Sequence, residues 1–328
     1  MIVFLLIKRL PVFKYYGYSY LLRNEVCFMQ LTDFVNTIGL DFKKRYGEKI
    51  HKLTLHGDFS CPNRDGTIGK GGCTFCNVAA FADETQAQQS IKMQLQLRRA
   101  EVQHKAKKFI AYFQAYTSTY AEIELLASLY EQAVADSSIV GLCVGTRPDC
   151  VSDAVLNLLS SYLMRGYEVW LELGLQSAHD KTLKHINRGH DFASYEKVCK
   201  KARQRGIKVC THLIIGLPNE GCAENVDSLQ RVIEIGVDGL KLHPLHIVRG
   251  ATMAKVWQRG RINTLSLEQY SQIAVQLIQK TPLDVVYHRI SATAKISELL
   301  APLWCEKRWP VQNRMCQLMQ QSGGQGSQ

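Results

Sequence analysis

This chain of 328 residues is missing several features that would settle its class. No stretch reaches the about 18 consecutive apolar residues that a membrane helix needs. The N-terminal run MIVFLLIKRLP is cut short by Lys8, Arg9 and Pro11, and it has neither a positive region ahead of it nor a small-residue cleavage site. Neither a membrane span nor an export signal is expected there. The first amphipathic helical pattern, TDFVNTIGLDFKKRYG, follows Met29, with Thr32 or Asp33 as its expected N-cap. Residues 1–28 therefore read either as lying ahead of the true start at Met29 or as a loosely attached arm. No internal repeat appears beyond a strand and helix period. The eleven cysteines include no second closely spaced pair, only Cys73 and Cys76 with two residues between them, which removes the two-pair zinc ribbon. So many cysteines outside a small secreted scaffold fit a reducing cytoplasm.

What the chain does have is the stretch CPNRDGTIGKGGCTFC, with Cys61, Cys73 and Cys76 at C-x11-C-x2-C directly after the strand-like run KLTLH. Three thiolates on one loop can converge on a single metal centre and are one ligand short of a closed tetrahedral site. A 4Fe-4S cluster held by three cysteines leaves one iron for a small chelating molecule, a role that the amino and carboxylate groups of S-adenosylmethionine suit. Gly66, Gly69, Gly71 and Gly72 let the loop turn its amides toward such a cluster, and Phe75 would shield one face. A Cys3His zinc site completed by His56 remains open on the same residues.

Charge adds a second observation. The formal net charge is +11, yet residues 61–240 hold 20 basic and 20 acidic side chains, whereas residues 1–60 hold 9 against 5 and residues 241–328 hold 11 against 4. A neutral middle between basic flanks suits a polyanionic substrate, or simply a soluble surface.

From residue 51 the pattern alternates. Apolar runs at 52–56, 109–115, 139–146, 168–175, 208–216 and 239–247 read as strands, with helical patterns at about 85–107, 121–135, 151–164, 192–205 and 223–235 between them. Near-continuous apolar strands with crossover helices predict an α/β fold with a parallel sheet covered on both faces. The expected architecture is an open (β/α)6 partial TIM barrel, with an N-terminal helix and a helical C-terminal extension. The core is expected over 29–250, a basic helical extension over 251–320 (helices at 252–260, 266–280, 291–301 and 306–320) and a flexible tail over 321–328. Functional residues should gather at the C-terminal strand ends. Polar residues do recur there: the cysteine loop, Gln114 to Tyr120, Thr146 to Asp149, Glu172 to Ser177 and Gly216 to Glu220.

Taken together, these residues resemble the radical S-adenosylmethionine superfamily over about residues 30–310, and within it the branch of the Elongator catalytic subunit. In that branch the first cysteine gap is longer than the superfamily's common three-residue gap and an aromatic precedes the third cysteine, as Phe75 does here. The resemblance implies that Cys61, Cys73 and Cys76 bind a 4Fe-4S cluster. It places Gln114, Tyr116 and Thr117 where a Gly-Gly-Glu segment meets the methionine amine, and Gln176 and Arg188 where enzymes of the coproporphyrinogen dehydrogenase type hold the ribose and carboxylate. Glu172 and Ser177 flank Gln176 in ELGLQS, and Glu172 reads equally as a buried partner of Arg147. His212 stands where an acid often holds the ribose, and Ile214 and Gly216 would line the adenine. His243, His246, His288 and Arg289 are substrate-side candidates.

The implied activity is reductive cleavage of S-adenosylmethionine to a 5′-deoxyadenosyl radical, with a one-electron donor such as flavodoxin or ferredoxin and no membrane involved. The Elongator branch modifies wobble uridine, which together with the basic flanks and Trp257, Trp304 and Trp309 implies tRNA as substrate. No segment reads as an acetyl-transfer domain, so the complete Elongator reaction is not expected. Nor is an auxiliary cluster, for want of a second cysteine triad. A radical oxidoreductase of a small metabolite and a non-catalytic zinc-dependent nucleic-acid-binding protein are the alternative readings.

Overall fold

The computed structural model describes residues 30–80 and 88–328, so the expectations for residues 1–28 and for a start at Met29 lie outside it. All six expected strands form: β1 (Ile50–Leu55), β2 (Lys108–Phe113), β3 (Ile139–Thr146), β4 (Glu168–Gln176), β5 (Lys208–Ile215) and β6 (Gly239–Pro244). They pair in parallel in sequence order. Crossover helices at Ile91–Val102, Ile123–Val134, Asp153–Met164, Phe192–Gln204 and Cys222–Ile235 match the expected patterns. The sheet curls into a part-barrel with an open seam between its first and last strands.

The last strand comes from an unexpected place. β8 (Val286–Arg289) lies in the segment read as a helical extension, and it joins β6 in parallel, with Gly239 opposite Val286 and Leu240 opposite Tyr287. The helices Thr252–Gln258, Leu267–Gln279 and Arg308–Ser322 form as expected, but the one expected over 291–301 does not. Its serines and threonine offer the backbone alternatives to helical bonding. Its end becomes β9 (Leu299–Ala301), antiparallel to β7 (Ile247–Val248). The N-terminal helix starts at Ile38, not near Leu31, and its cap is Thr37, which accepts from the Leu40 amide at 3.3 Å. Thr32 and Asp33 instead lie in a short 3-10 turn. The reason is tertiary: Tyr287 donates its amide to the Asn36 carbonyl at 2.8 Å, and Thr37 bridges Tyr287, so this backbone is held extended against β8.

Alternation along β4 sets the interior. Val169, Leu171, Leu173 and Leu175 face the outer helices within the main core, while Glu168, Trp170, Glu172, Gly174 and Gln176 share the opposite, barrel-facing side. The lower interior is apolar, built from Ile50, Ile110, Tyr112, Cys143, Trp170 and Cys210, and Phe42 of the N-terminal helix plugs it from below. Glu168 anchors that plug: it accepts from Arg45 (2.8 Å), Lys208 (2.8 Å), Trp170 Nε1 (2.8 Å) and Tyr46 (3.1 Å). Burial alone would raise its carboxyl, but the hydrogen bonds from Arg45 and Lys208 outweigh burial and hold it at about 2. Gly141 lets β3 come close here, since a methyl at its Cα would lie 2.5 Å from the Glu168 carbonyl oxygen.

The C-terminal segment expected to be flexible is instead tied down. Gln325 is 7% exposed, accepts from the Asn36 amide at 2.8 Å and donates to the carbonyls of Pro282 and Val285 at 2.7 Å each. Among the described residues no helix is long and apolar enough to cross a membrane.

Two outcomes follow. Deleting residues 323–328 leaves the Asn36 and Val285 backbone groups without these partners and should cost about 1–3 kcal/mol, read as a Tm lowered by about 2–4 °C; an unchanged Tm would show a detached tail. Because the folded value of Glu168 lies below the unfolded 4.5, its stabilisation is complete above that pH and is lost as pH falls toward 2. Urea titrations between pH 6 and 2.5 should therefore show a shallower acid decline for Glu168→Gln than for wild type.

Candidate active site

The three cysteines leave the C-terminal end of β1 on a loop that begins with a short helical turn at Pro62–Asp65. The Cys61 carbonyl accepts from the amides of Arg64 (2.8 Å) and Asp65 (3.1 Å), and the Cys76 amide donates back to Cys73 O (3.0 Å). A second segment fastens the loop from outside. Asn187 donates to Gly72 O (2.8 Å), Thr74 donates its amide to Ile186 O (3.0 Å) and Asn63 donates to Asn187 O (2.5 Å). Gly72 takes a φ of 81° against the Arg64 side chain, where a methyl would lie 2.9 Å from Arg64 Nε.

Arg188 joins loop and barrel. It donates through Nε (3.1 Å) and Nη2 (2.5 Å) to the Gly174 carbonyl, and through Nη1 to the Cys73 sulfur at 3.4 Å. Gly174 is required there: a methyl would lie 2.8 Å from both Arg188 Nη2 and Gln176 Nε2. The expected pair Gln176 and Arg188 thus meets over one glycine. Gln176 has φ 81° and Tyr116 φ 58°, left-handed conformations that side-chain-bearing residues seldom adopt and that gather at functional sites.

These elements enclose about 1050 Å³ of open space, mouth included, within the range of small-molecule sites. Its lining brings together Cys61, Cys73 and Cys76 with Gln114, Tyr116, Thr117, Glu172, Gln176, Arg188 and His212. Of the expected cofactor residues, three stand apart. Ser177 donates to Glu220 at 2.5 Å, Ile214 is buried in the main core, and Gly216 packs on Leu265 and Leu245.

Glu172 differs most from expectation. It has no exposed surface, and its partners are Lys241, Lys52 (2.8 Å), Tyr112 OH (2.5 Å), His212 Nε2 (3.1 Å), His288 Nδ1 (3.0 Å) and the Cys143 thiol (3.1 Å). Its acceptor positions are saturated, so it forms the floor of the cavity and leaves no oxygen for a ligand. Nor does it pair with Arg147, which binds Asp149 at 3.0 and 2.8 Å. Burial would raise the Glu172 carboxyl, but the Lys241 and Lys52 ammonium groups and the two histidines outweigh it and hold it well below the carboxylate range. Burial, reinforced by Lys241, pushes His212 down to about 4, so its ring is neutral. Against a carboxylate, a neutral His212 donates Nε2–H to Glu172 and keeps Nδ1 as an acceptor where the resemblance expects an acid.

Arg64, Tyr112, Lys241, His243 and Arg289 also line the cavity. The sequence reading passed over Arg64, Tyr112 and Lys241. The signal for Lys241 was a lysine inside an apolar strand, GLKLHP, which demands a buried partner.

The donor set fits an iron-sulfur cluster. Burial beside Cys73 pushes the Cys76 thiol up to about 11, so only a bound metal would hold it as thiolate at neutral pH. Arg147 Nη1, Thr117 Oγ1 and His243 Nε2 are buried without hydrogen-bond partners and belong to lining residues. Among the described residues, one trio of His, Cys, Asp or Glu has all its ligand atoms within 4.8 Å of one another: Glu172, Cys210 and His212. Two ammonium groups already occupy Glu172, which opposes a cation there.

Truncating Glu172 should be costly. Glu172→Ala leaves buried Lys241 and half-buried Lys52 without their counter-charge and should lower unfolding free energy by about 3–5 kcal/mol in denaturant titration; a loss under about 1 kcal/mol would contradict the floor described here.

Comparison with known proteins agrees with this geometry. The family description "Radical SAM superfamily" matches residues 65–232, and "Radical_SAM C-terminal domain" matches residues 237–321. Protein YhcC of Escherichia coli (strain K12) is 62% identical over 299 residues, covering 91% of this chain and 96% of that one. Elongator complex protein 3 of Schizosaccharomyces pombe is 27% identical over 168 residues, and the match covers half of this chain but only 30% of that longer protein. Among solved structures, the archaeal Methanocaldococcus infernus Elp3 with an N-terminal deletion superposes with a TM-score of 0.65 at 17% identity, covering 83% of this chain and 63% of the other. That likeness concerns the fold. With three cysteines on the first strand's loop and both family descriptions matched, the chain belongs to the radical S-adenosylmethionine superfamily, enzymes that use a 4Fe-4S cluster and S-adenosylmethionine.

Proposed function

We propose that this radical enzyme acts on tRNA, at a wobble uridine extruded from the anticodon loop toward the barrel mouth. When bound, the cluster and S-adenosylmethionine supply one-electron cleavage of the sulfonium and a hydrogen-abstracting deoxyadenosyl radical. The chain's own residues have separate tasks. Cys61, Cys73 and Cys76 hold the cluster, and Arg188 orients Cys73. Gln176 presents an amide at the rim, neutral His212 offers an acceptor to a ribose hydroxyl, and Gln114, Tyr116 and Thr117 complete the wall on the β2 side.

The observation that carries the RNA reading is charge placed beside the cavity. Residues 241–328 carry 11 basic against 4 acidic side chains. Arg289 from this segment lines the cofactor cavity and a neighbouring groove at once. Of the three tryptophans expected to stack on bases, Trp257 and Trp304 pack on the core, and Trp304 donates to Leu265 O at 3.0 Å. Trp309 is 60% exposed beneath the Arg308 guanidinium, 4.4 Å from the ring centre, an arrangement suited to an unstacked base. The similarity to Elongator complex protein 3 supports the same substrate class. A cytoplasmic location and a flavodoxin- or ferredoxin-type donor belong to this reading, with ten free cysteines among the described residues in its favour.

The test combines metal, cofactor and substrate. Anaerobically purified wild type should hold about four irons per chain and release 5′-deoxyadenosine with dithionite and S-adenosylmethionine, whereas Cys76→Ala should do neither. Unmodified tRNA should then gain a wild-type-dependent mass change at the wobble nucleoside. Stoichiometric zinc without deoxyadenosine would sink the assignment of Cys76 to the cluster; deoxyadenosine formed without any change in tRNA would sink the RNA substrate alone.

A further inference from the structure

At the open seam of the barrel, a second cavity of about 1300 Å³ lies between the N-terminal helix, the loop that follows β8 and the first turn of the helix Arg308–Ser322. It meets the cofactor cavity at Gln114 and Arg289, which line both. Its walls carry Arg289, Lys295 and Arg308 and no aspartate or glutamate among the described residues. Arg289 and Arg308 in one concave space, with no carboxylate among its described lining residues, form a field that favours an anion.

Two further observations turn this field into a site. Ser291 is 7% exposed and lines the groove, yet its hydroxyl has no hydrogen-bond partner. A buried hydroxyl without a partner costs free energy, which a ligand oxygen would recover. Arg289 and Arg308 have no carboxylate partner among the described residues, whereas Arg314, six residues further along the same helix, is bound to Glu268 at 2.7 Å. The loop bearing Ser291 leaves the C-terminal end of the seventh sheet strand, a position where parallel barrels commonly gather phosphate-binding groups.

We propose that Arg289, Ser291 and Arg308 form a phosphate-binding subsite in the seam groove, which holds a substrate phosphate while the adjoining nucleoside reaches the cofactor cavity past Gln114. Only the source of the phosphate, a backbone diester next to the reacting nucleotide, rests on the RNA reading above. The forked guanidinium of Arg289 would donate to two phosphate oxygens, the Ser291 hydroxyl would donate to a third, and Arg308 would supply the outer charge.

Arg308→Gln and Ser291→Ala separate the possibilities, because Arg308 is a surface residue and the alanine removes an unpaired hydroxyl, so neither should impair folding. Fluorescence anisotropy with unmodified tRNA across a salt series should show wild type binding with a steep salt dependence. Arg308→Gln should bind roughly tenfold more weakly, with a slope smaller by about 0.7–0.9. In parallel, inorganic phosphate at constant ionic strength should raise the Tm of wild type and shift either variant less. If tRNA binds wild type and both variants with equal affinity and slope, the subsite is overturned while the RNA reading stands. If tRNA does not bind wild type but inorganic phosphate stabilises it and not the variants, the subsite stands for a small phosphorylated substrate and the RNA reading falls. If neither probe distinguishes wild type from the variants, the subsite is overturned.

Discussion

A carboxylate sealed from water at the centre of a curled sheet persists only where positive charge meets it, and the interior of this barrel is arranged around meeting Glu172. Lys52 reaches it from β1, Tyr112 from β2, His212 from β5, Lys241 from β6 and His288 from β8. Five strands on both sides of β4 are thereby tied to one point, and the register of each places the right residue inward. Above this layer lies the cofactor cavity, and below it Trp170 and the apolar plug end at Glu168. The ion cluster is thus the boundary between a wet half of the barrel and a dry one. It also fixes the chemistry at that boundary, because His212 kept neutral by burial can accept a hydrogen bond.

The second constraint lies at the rim. The cysteine loop has little regular structure of its own, and it is shaped by bonds to the segment 186–189 that follows β4. Arg188 holds Cys73 and the Gly174 carbonyl together, so the loop from the first strand is referenced to the end of the fourth. Left-handed backbone at Tyr116 and Gln176 turns two more strand ends inward. Strain of this kind survives because neighbouring packing overdetermines it.

β8 and the C-terminal segment complete the seam. The part-barrel leaves an edge on β1 and another on β8, and the N-terminal segment bridges to Tyr287 while Gln325 binds Asn36 from the other side. The seam that remains is a groove beside the cofactor cavity, and its described lining residues include Arg289 and Arg308 and no carboxylate. A substrate approaching there would meet the cationic flank that the charge distribution of the chain had indicated.

The sequence by itself was enough for the three cysteines and the parallel core. Cysteine spacing, apolar strand runs and crossover helices are local patterns, and each reports chemistry within a few residues. It also put Gln176 and the β2 exit at the strand ends that line the cavity, because strand ends can be counted. Only the tertiary structure decided that Glu172 is a floor and not a ligand. Its partners lie 29 to 120 residues away, and alternation on a strand buried on both faces does not show which polar residue meets which. The same holds for β8, four residues whose pairing with β6 is a long-range contact, and for the cap at Thr37, which a bridge to that strand imposes. The C-terminal glycines and glutamines read as flexible because their composition offers no core. They are ordered because Gln325 finds three backbone groups that other elements leave unpaired, and such vacancies exist only after the rest of the chain has folded.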